Sequence, residues 1–300
     1  MTISQDHPIA NPQDGAKPSG LFIMDFDGTL LRSDRTVALR DLAALRQLGE
    51  LGIIRAIATG RSLFSFNTVT IPSLPMDFVI FSTGAGVVQY NNLKLIRKVN
   101  LDPSEVERAS EVLKAYRLDF MIHRTIPDNH RFAYYRTNHE NDDFDRRLEI
   151  YSRHADVLTE TSNGFGPATQ LLAVVPGRNG RAVLETIRNE LVNFNVIQTT
   201  SPLDGKSTWI EIFPTTVSKS QTAAWLAAEL QIDKRRIVSV GNDYNDLDLL
   251  EWTDCSYVVD NAPADLKNRF ATVASHNNGG VAEAARRWLT EKAEGEKLGR

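Results

Sequence analysis

The sequence is short of several things, and each shortage narrows what the chain can be. It has one cysteine, Cys255, in 300 residues. No intrachain disulfide can form, which fits a reducing compartment. No apolar run approaches the ~18–20 residues of a membrane helix. Met1–Gly20 lacks the apolar stretch of a secretory signal. The cytoplasm is therefore the expected location. An excess of basic charge is missing too: 34 Lys and Arg stand against 38 Asp and Glu, a net of −4. A general electrostatic grip on nucleic acid or anionic membrane is not expected, although a small basic groove stays open. Internal repeats and low-complexity blocks are absent.

What is present reads as a soluble globular chain, with 42% hydrophobic and 24% charged residues. Its length suits about two domains at ~100–200 residues each. Residues 1–19, polar and rich in Pro, Gly, Asn and Asp, read as a disordered tail. The first strong signal is the apolar run Leu21-Phe22-Ile23-Met24, which stops at Asp25-Phe26-Asp27-Gly28-Thr29. A short run bounded by turn residues reads as a buried strand. A helical pattern covers Arg35–Leu51. Strands follow at Ile53–Ala58, ending in Thr59-Gly60-Arg61, and at Phe78–Phe81, ending in Ser82-Thr83-Gly84. This alternation is that of a parallel α/β sheet.

From 86 to 200 the rhythm changes to hairpin-like strands and paired helices, an α+β unit. It contains a hairpin turn at Asn91-Asn92, a helix start at Asp102-Pro103-Ser104-Glu105 and a loop at Asn163-Gly164-Phe165-Gly166-Pro167. The parallel rhythm then returns, with a strand at Trp209–Phe213, a helix at Ser218–Leu230, and a strand at Ile237–Val240 ending in Gly241-Asn242-Asp243. The expected fold is a Rossmann-like parallel core, 20–85 and 201–290, split by an inserted α+β domain at 86–200, with 291–300 frayed. In such sheets ligands bind beyond the carboxyl ends of the strands, so those ends hold the candidate residues.

Asp25 and Asp27 stand two apart at the first strand end, a spacing that points both carboxylates one way in extended backbone. Two carboxylates so close repel unless a cation intervenes, and oxygen ligands suit Mg²⁺. The plain alternative is a pair of acidic turn residues. The whole segment, Asp25-Phe26-Asp27-Gly28-Thr29-Leu30 behind four apolar residues, resembles the first signature of the haloacid dehalogenase superfamily of phosphatases.

The resemblance implies that Asp25 is the nucleophile, forming an aspartyl phosphate, and Asp27 the general acid and base. It implies a metal held by the Asp25 carboxylate and the backbone carbonyl of Asp27. Ala58-Thr59-Gly60-Arg61 is similar to the second family motif, with Thr59 and Gly60 as phosphate binders. Arg61 either pairs with an anion or lies at the surface. Glu211-Ile212-Phe213-Pro214 through Val217-Ser218-Lys219 resembles the third motif, whose Lys pairs with the nucleophile and the phosphoryl oxygens.

Gly241-Asn242-Asp243-Tyr244-Asn245-Asp246 is similar to the fourth motif. There Asn242 occupies a position that normally supplies a metal carboxylate. Either Asn242 binds the metal more weakly, or Asp243 or Asp246 substitutes. The place of the insert, between the second and third motifs, and Ser82-Thr83-Gly84-Ala85 resemble the Cof-type branch. In many of its members Asn stands where this chain has Thr83. The insert would then be a cap that closes over the site and selects substrate, with His123, Arg124, Tyr134, Tyr135, Arg136 and His139 as candidate contacts. Each of these reads equally well as an ordinary strand or surface residue.

The resemblance implies a Mg²⁺-dependent phosphatase of small phosphorylated metabolites, sugar phosphates foremost. Two alternatives stand beside it: a phosphomutase using the same intermediate, and a catalytically weak sensor of phosphorylated metabolites.

Overall fold

A computed structural model describes residues 17–298 apart from 70, 72, 138 and 160–164. The tail expected at 1–16 and two residues of the expected loop, Asn163 and Gly164, lie outside the described residues. The chain divides into two compact units, one of residues 98–218 with 62–65, the other of the flanking segments.

The flanking unit is built on an eight-stranded sheet. Its strands are β1 (Gly20–Met24), β2 (Ile53–Ala58), β3 (Phe78–Phe81), β4 (Gly86–Gln89), β5 (Lys94–Lys98), β12 (Ile237–Gly241), β13 (Cys255–Val259) and β14 (Ala271–Val273). Their order is β14-β13-β12-β1-β2-β3-β4-β5. The strands from β14 to β3 are parallel and β4 returns antiparallel to β3. All five residues of β1 are buried, as a strand covered on both faces requires. Leu21 and Ile23 join Ala223 and Leu226 of helix α6 (Lys219–Glu229) in one core cluster. Phe22 faces the other way, 6.1 Å between ring centroids from Trp288 of α9 (Gly280–Leu298). β1 and β12 lie side by side at the centre of the sheet, so the ends of these two strands bring Asp25 and the Asn242 turn together. α9 is helical through Leu298, in place of the frayed end expected from 291.

The second unit carries a six-stranded sheet: β6 (Asp119–His123), β7 (Phe132–Tyr135), β8 (Ala155–Val157), β9 (Gln170–Val175), β10 (Phe194–Thr200) and β11 (Thr208–Pro214), in the order β10-β11-β9-β6-β7-β8. Helices α3 (Pro103–Ala115) and α5 (Gly180–Glu190) pack on one face through Val106, Leu113, Leu184 and Ile187. Phe144 and Leu148 of α4 (Asp142–Ile150) pack on the other, against Met121, Leu172 and Trp209. α3 starts as its sequence predicts. Asp102 Oδ1 accepts from Glu105 N at 2.9 Å, the Glu105 carboxylate caps Asp102 N in return, and Pro103 follows the cap.

Two expectations are corrected. The strand at Trp209–Phe213 belongs to this second sheet, antiparallel to β9 and β10, and not to the parallel core. It is buried along its whole length, Glu211 included, so its largely apolar sequence does not distinguish it from a parallel core strand. A polar turn decides the matter: Asp204 accepts from Lys206 N, Ser207 N and Ser207 Oγ and folds β10 back onto β11. Conversely, the hairpin about Asn91-Asn92 extends the first sheet and does not open the insert. Among the described residues no helix is long and apolar enough to cross a membrane.

Candidate active site

The strand ends of the first sheet gather the motif residues. Asp25 follows β1, with its N–H on Val240 O at 2.9 Å, and is 5% exposed. Lys219, the first residue of α6, is wholly buried. Its Nζ donates to Asp25 Oδ1 at 2.7 Å and to Asp246 Oδ1 at 2.6 Å. A helix N-terminus disfavours a cation, and so does burial. The Asp246 and Asp25 carboxylates outweigh burial and hold the ammonium above its usual range. Burial in turn pushes the Asp25 carboxyl up to about 7, with Lys219 opposing and Asp246 adding to the rise.

Asp27 faces elsewhere. Its carboxylate takes two bonds from Arg61, Nε to Oδ2 and Nη2 to Oδ1, both 2.7 Å. Such a fork on a carboxylate is the strong, oriented form of ion pair. The repulsion foreseen between Asp25 and Asp27 is thus relieved in part by protein cations, Lys219 on one and Arg61 on the other. The sequence left Arg61 open between an anion partner and a surface site, and here it is an anion partner of Asp27.

Thr59 follows β2 and is 1% exposed. Its N–H bonds Ile80 O at 2.8 Å, and its Oγ1 accepts from Arg61 N at 3.1 Å. Thr83 N donates to Thr59 O at 2.9 Å, tying the second motif to the Ser82-Thr83-Gly84 turn. Ser82 and Thr83 lie at φ +49° and +55°, a left-handed conformation that suits Asn better than a β-branched side chain. That is a physical reason for the Asn common at this position in the Cof-type pattern. A Cβ on Gly60 would meet Thr83 Oγ1 at 3.6 Å and Asn245 Nδ2 at 3.7 Å, ordinary contact distances.

Asn242 closes the group. The amide atom that faces the nucleophile lies 3.1 Å from Asp25 Oδ2, from the Asp27 carbonyl oxygen and from Thr29 Oγ1. With nitrogen there, the amide's two hydrogens are shared among the three oxygens. With oxygen there, it accepts from Thr29 Oγ1 and meets two further oxygens, an arrangement that a cation would hold. Oxygens bound side by side on Mg²⁺ at ~2.1 Å stand about 3 Å apart, so the residues fit that ion. Among the described residues no three His, Cys, Asp or Glu side chains converge on a metal-sized space. The trio draws instead on one carboxylate, one carbonyl and one amide. Gly28 makes room for it: its φ is +73°, and a Cβ there would stand 2.8 Å from the Asn242 amide.

Asp246, expected beside the metal, is otherwise engaged. Oδ1 takes Lys219, and Oδ2 accepts from Asn242 N at 2.8 Å and Asp243 N at 3.1 Å. It shapes the loop that carries Asn242. A Cβ on Gly241 would meet its side chain at 2.6 Å, so that glycine is required. Asp243 is the capping residue of the turn at Tyr244–Asp246.

The sequence reading passed over Thr29, Asn245 and Asn261. The first two sit inside quoted motifs. Asn261, which donates to Gly28 O at 2.8 Å and accepts from His276 N at 3.0 Å, carries no signal in sequence.

The six candidates of the second unit fall mostly on the structural side of the two readings that the sequence left open. Arg136 is engaged by Asp145 and by the buried Asp119, at 2.9 Å each. His123 is 4% exposed, bonds Asn129 O through Nδ1, and is held below the usual imidazole range by burial, to about 3. Tyr135 stacks on Phe120 and Tyr134 packs against Phe144. Arg124 reaches Asp156 at 3.9 Å and lies over Phe165. The His139 carbonyl accepts from Arg136. Most of these groups hold their own unit together.

The model of the haloacid dehalogenase-like hydrolases matches residues 22–284. A 5-amino-6-(5-phospho-D-ribitylamino)uracil phosphatase of Bacillus subtilis is 22% identical over 285 residues, 85% of this chain and 93% of its own. A phosphoglycolate phosphatase of Methanopyrus kandleri is 26% identical over 279 residues, 91% and 98% of the two chains. Among solved structures, a haloalkanoate-superfamily phosphatase of Bacteroides thetaiotaomicron superposes with a TM-score of 0.72 at 18% identity, covering 91% and 96%. A subclass IIB sugar phosphatase superposes at 0.69 and 14%, covering 90% and 98%. At these identities the structures speak for the fold, and the matched model for the family. The chain belongs to the haloacid dehalogenase-like hydrolases, in their Cof-type branch.

Proposed function

We propose that this hydrolase is a Mg²⁺-dependent phosphatase of small phosphorylated metabolites, sugar phosphates foremost, acting through an aspartyl phosphate on Asp25. The observation that carries the reading is the buried Lys219 between Asp25 and Asp246, with the Asn242 amide, the Asp27 carbonyl and the free Asp25 oxygen converging beside it. Relatives named as phosphatases of a ribitylaminouracil phosphate, of phosphoglycolate and of sugar phosphates support the substrate class.

The Asp25 carboxylate attacks phosphorus while the Lys219 ammonium on Oδ1 holds it in place. Lys219 keeps the nucleophile oriented and offsets the negative charge that gathers on the phosphoryl oxygens. Thr59 and Gly60 stand at the neighbouring strand end, where a phosphoryl oxygen would accept from the Thr59 hydroxyl and the Gly60 N–H. Asp27 protonates the leaving alcohol and then takes a proton from the water that opens the intermediate. Arg61 fixes the direction of that carboxylate, leaving lone pairs on each oxygen for the proton. Mg²⁺ bound by Asp25, the Asp27 carbonyl and Asn242 would screen the anionic nucleophile from the anionic phosphate.

Asp25→Asn should abolish hydrolysis of an aryl phosphate while the circular dichroism spectrum is retained, and retained turnover would remove Asp25 as nucleophile. EDTA should silence the enzyme and Mg²⁺ restore it; indifference to EDTA would sink the metal assignment. A screen of phosphorylated metabolites for free phosphate, with isomeric sugar phosphates as the contrary product, separates hydrolysis from mutase action.

A further inference from the structure

Beside Asp27 lies a cavity of about 330 Å³ whose lining includes Arg32, Ser33, Arg35, Arg61 and His276. Three arginines stand there against one carboxylate, in a chain whose overall charge is −4. Arg61 is paired with Asp27, and Arg32 reaches Asp34 at 3.1 Å through Nη1, while its Nε is buried without a partner. Arg35 is exposed, takes part in no ion pair among the described residues, and is held at φ +63°, an uncommon conformation for a side chain of its size.

The wall that carries these groups is tied down. Arg32 N bonds Thr36 O and Arg35 N bonds Arg32 O, closing a tight turn. Ser33 N donates to Asn277 Oδ1, and Ser33 Oγ meets both Asn277 Nδ2 at 3.1 Å and His276 Nε2 at 2.9 Å. Ser33 Oγ has a donor and two acceptor sites, so these contacts hold the wall in either imidazole tautomer. A preformed wall of three arginines, one with an idle donor, next to the carboxylate that faces the leaving group, suits an anion.

We propose that this cavity is a subsite for a second anionic group, carboxylate or phosphate, on the leaving-group side of the phosphate ester. The proposal rests on the phosphatase reading above. It makes Arg32 and Arg35 specificity determinants, acting on the part of the substrate that is not transferred.

The test compares esters that differ only in the second anion: 3-phosphoglycerate against glycerol 3-phosphate for a carboxylate, and fructose 1,6-bisphosphate against fructose 6-phosphate for a phosphate. In at least one pair kcat/KM should favour the anionic ester by about tenfold or more, the size of a charge-assisted contact. The favoured pair identifies the anion. Arg35→Asn, which tolerates the left-handed backbone, and Arg32→Gln should each bring that ratio toward one. A ratio near one in both pairs for the unaltered protein, or a ratio that neither variant moves, overturns the subsite. Calorimetric binding of the same pairs to Asp25→Asn separates the two readings. Preference in binding without turnover of any ester by the unaltered protein leaves the subsite standing and removes the phosphatase. Turnover without any preference in binding removes the subsite alone.

Discussion

Replacing Asn242 by Asp should tighten divalent-metal binding and weaken the metal-free fold by linked amounts. The new carboxylate would stand where the amide now lies 3.1 Å from Asp25 Oδ2. With charge centres about 4 Å apart, the repulsion is about 1 kcal/mol at the dielectric of water and about 4 kcal/mol at an effective value of 20. Asp25 is buried, so the larger figure bounds the effect more closely. A bound cation cancels this repulsion, so the same energy reappears as affinity, a fall in Kd of about 5-fold to 1,000-fold. Calorimetric titration with Mg²⁺ reads the affinity, and melting in EDTA and in excess Mg²⁺ reads the linked stability. The variant should melt below the unaltered protein in EDTA, and the gap should close or reverse in Mg²⁺. Equal affinity together with equal melting in EDTA would show that Asn242 and Asp25 do not share a cation.

Two further outcomes follow from groups away from the chemistry. Asp41 of α1 (Leu39–Glu50) is wholly buried, one oxygen accepting from Ala282 N and the other without a partner. Burial raises its carboxyl to about 6. A raised folded value favours the fold below the unfolded pKa near 4, and that contribution is lost as pH rises through about 6, at most about 3 kcal/mol. Asp41→Asn should flatten the stability curve between pH 4 and 7 in urea titrations, and an unchanged slope would refute the assignment. Arg136→Ala should cost about 1–3 kcal/mol, because the buried Asp119 loses its ion-pair partner but keeps hydrogen bonds from Thr137 and Asn141. Its effect should appear as a lower melting temperature with little change in KM, and a large KM change at unaltered stability would return Arg136 to the substrate contacts.

The catalytic candidates were legible because local pattern and chemistry coincide at strand ends. An apolar run that stops at Asp-x-Asp-Gly-Thr needs no tertiary knowledge to be seen, and the same holds for Thr59-Gly60-Arg61 and the Asn242 turn. The weaker readings fell where local signals are degenerate. The run at Trp209–Phe213 looks the same in a parallel sheet and in a doubly covered antiparallel one. Arg136 and His123 carry the residue types of a binding site, but their partners, Asp119, Asp145 and Asn129, are set by how the chain folds around them.

By itself the sequence determined the alternating α/β core, the ends at which Asp25, Thr59 and Asn242 stand, and the family. These depend on periodicity and on short motifs, which are local. The resemblance already pairs Lys219 with Asp25, but only the tertiary structure decided the other pairings. Arg61 meets Asp27 across 34 positions of chain and Lys219 meets Asp246 across 27. Such pairings depend on strand order and on burial, which make an unpaired charge costly, and neither is written in the spacing of neighbouring residues.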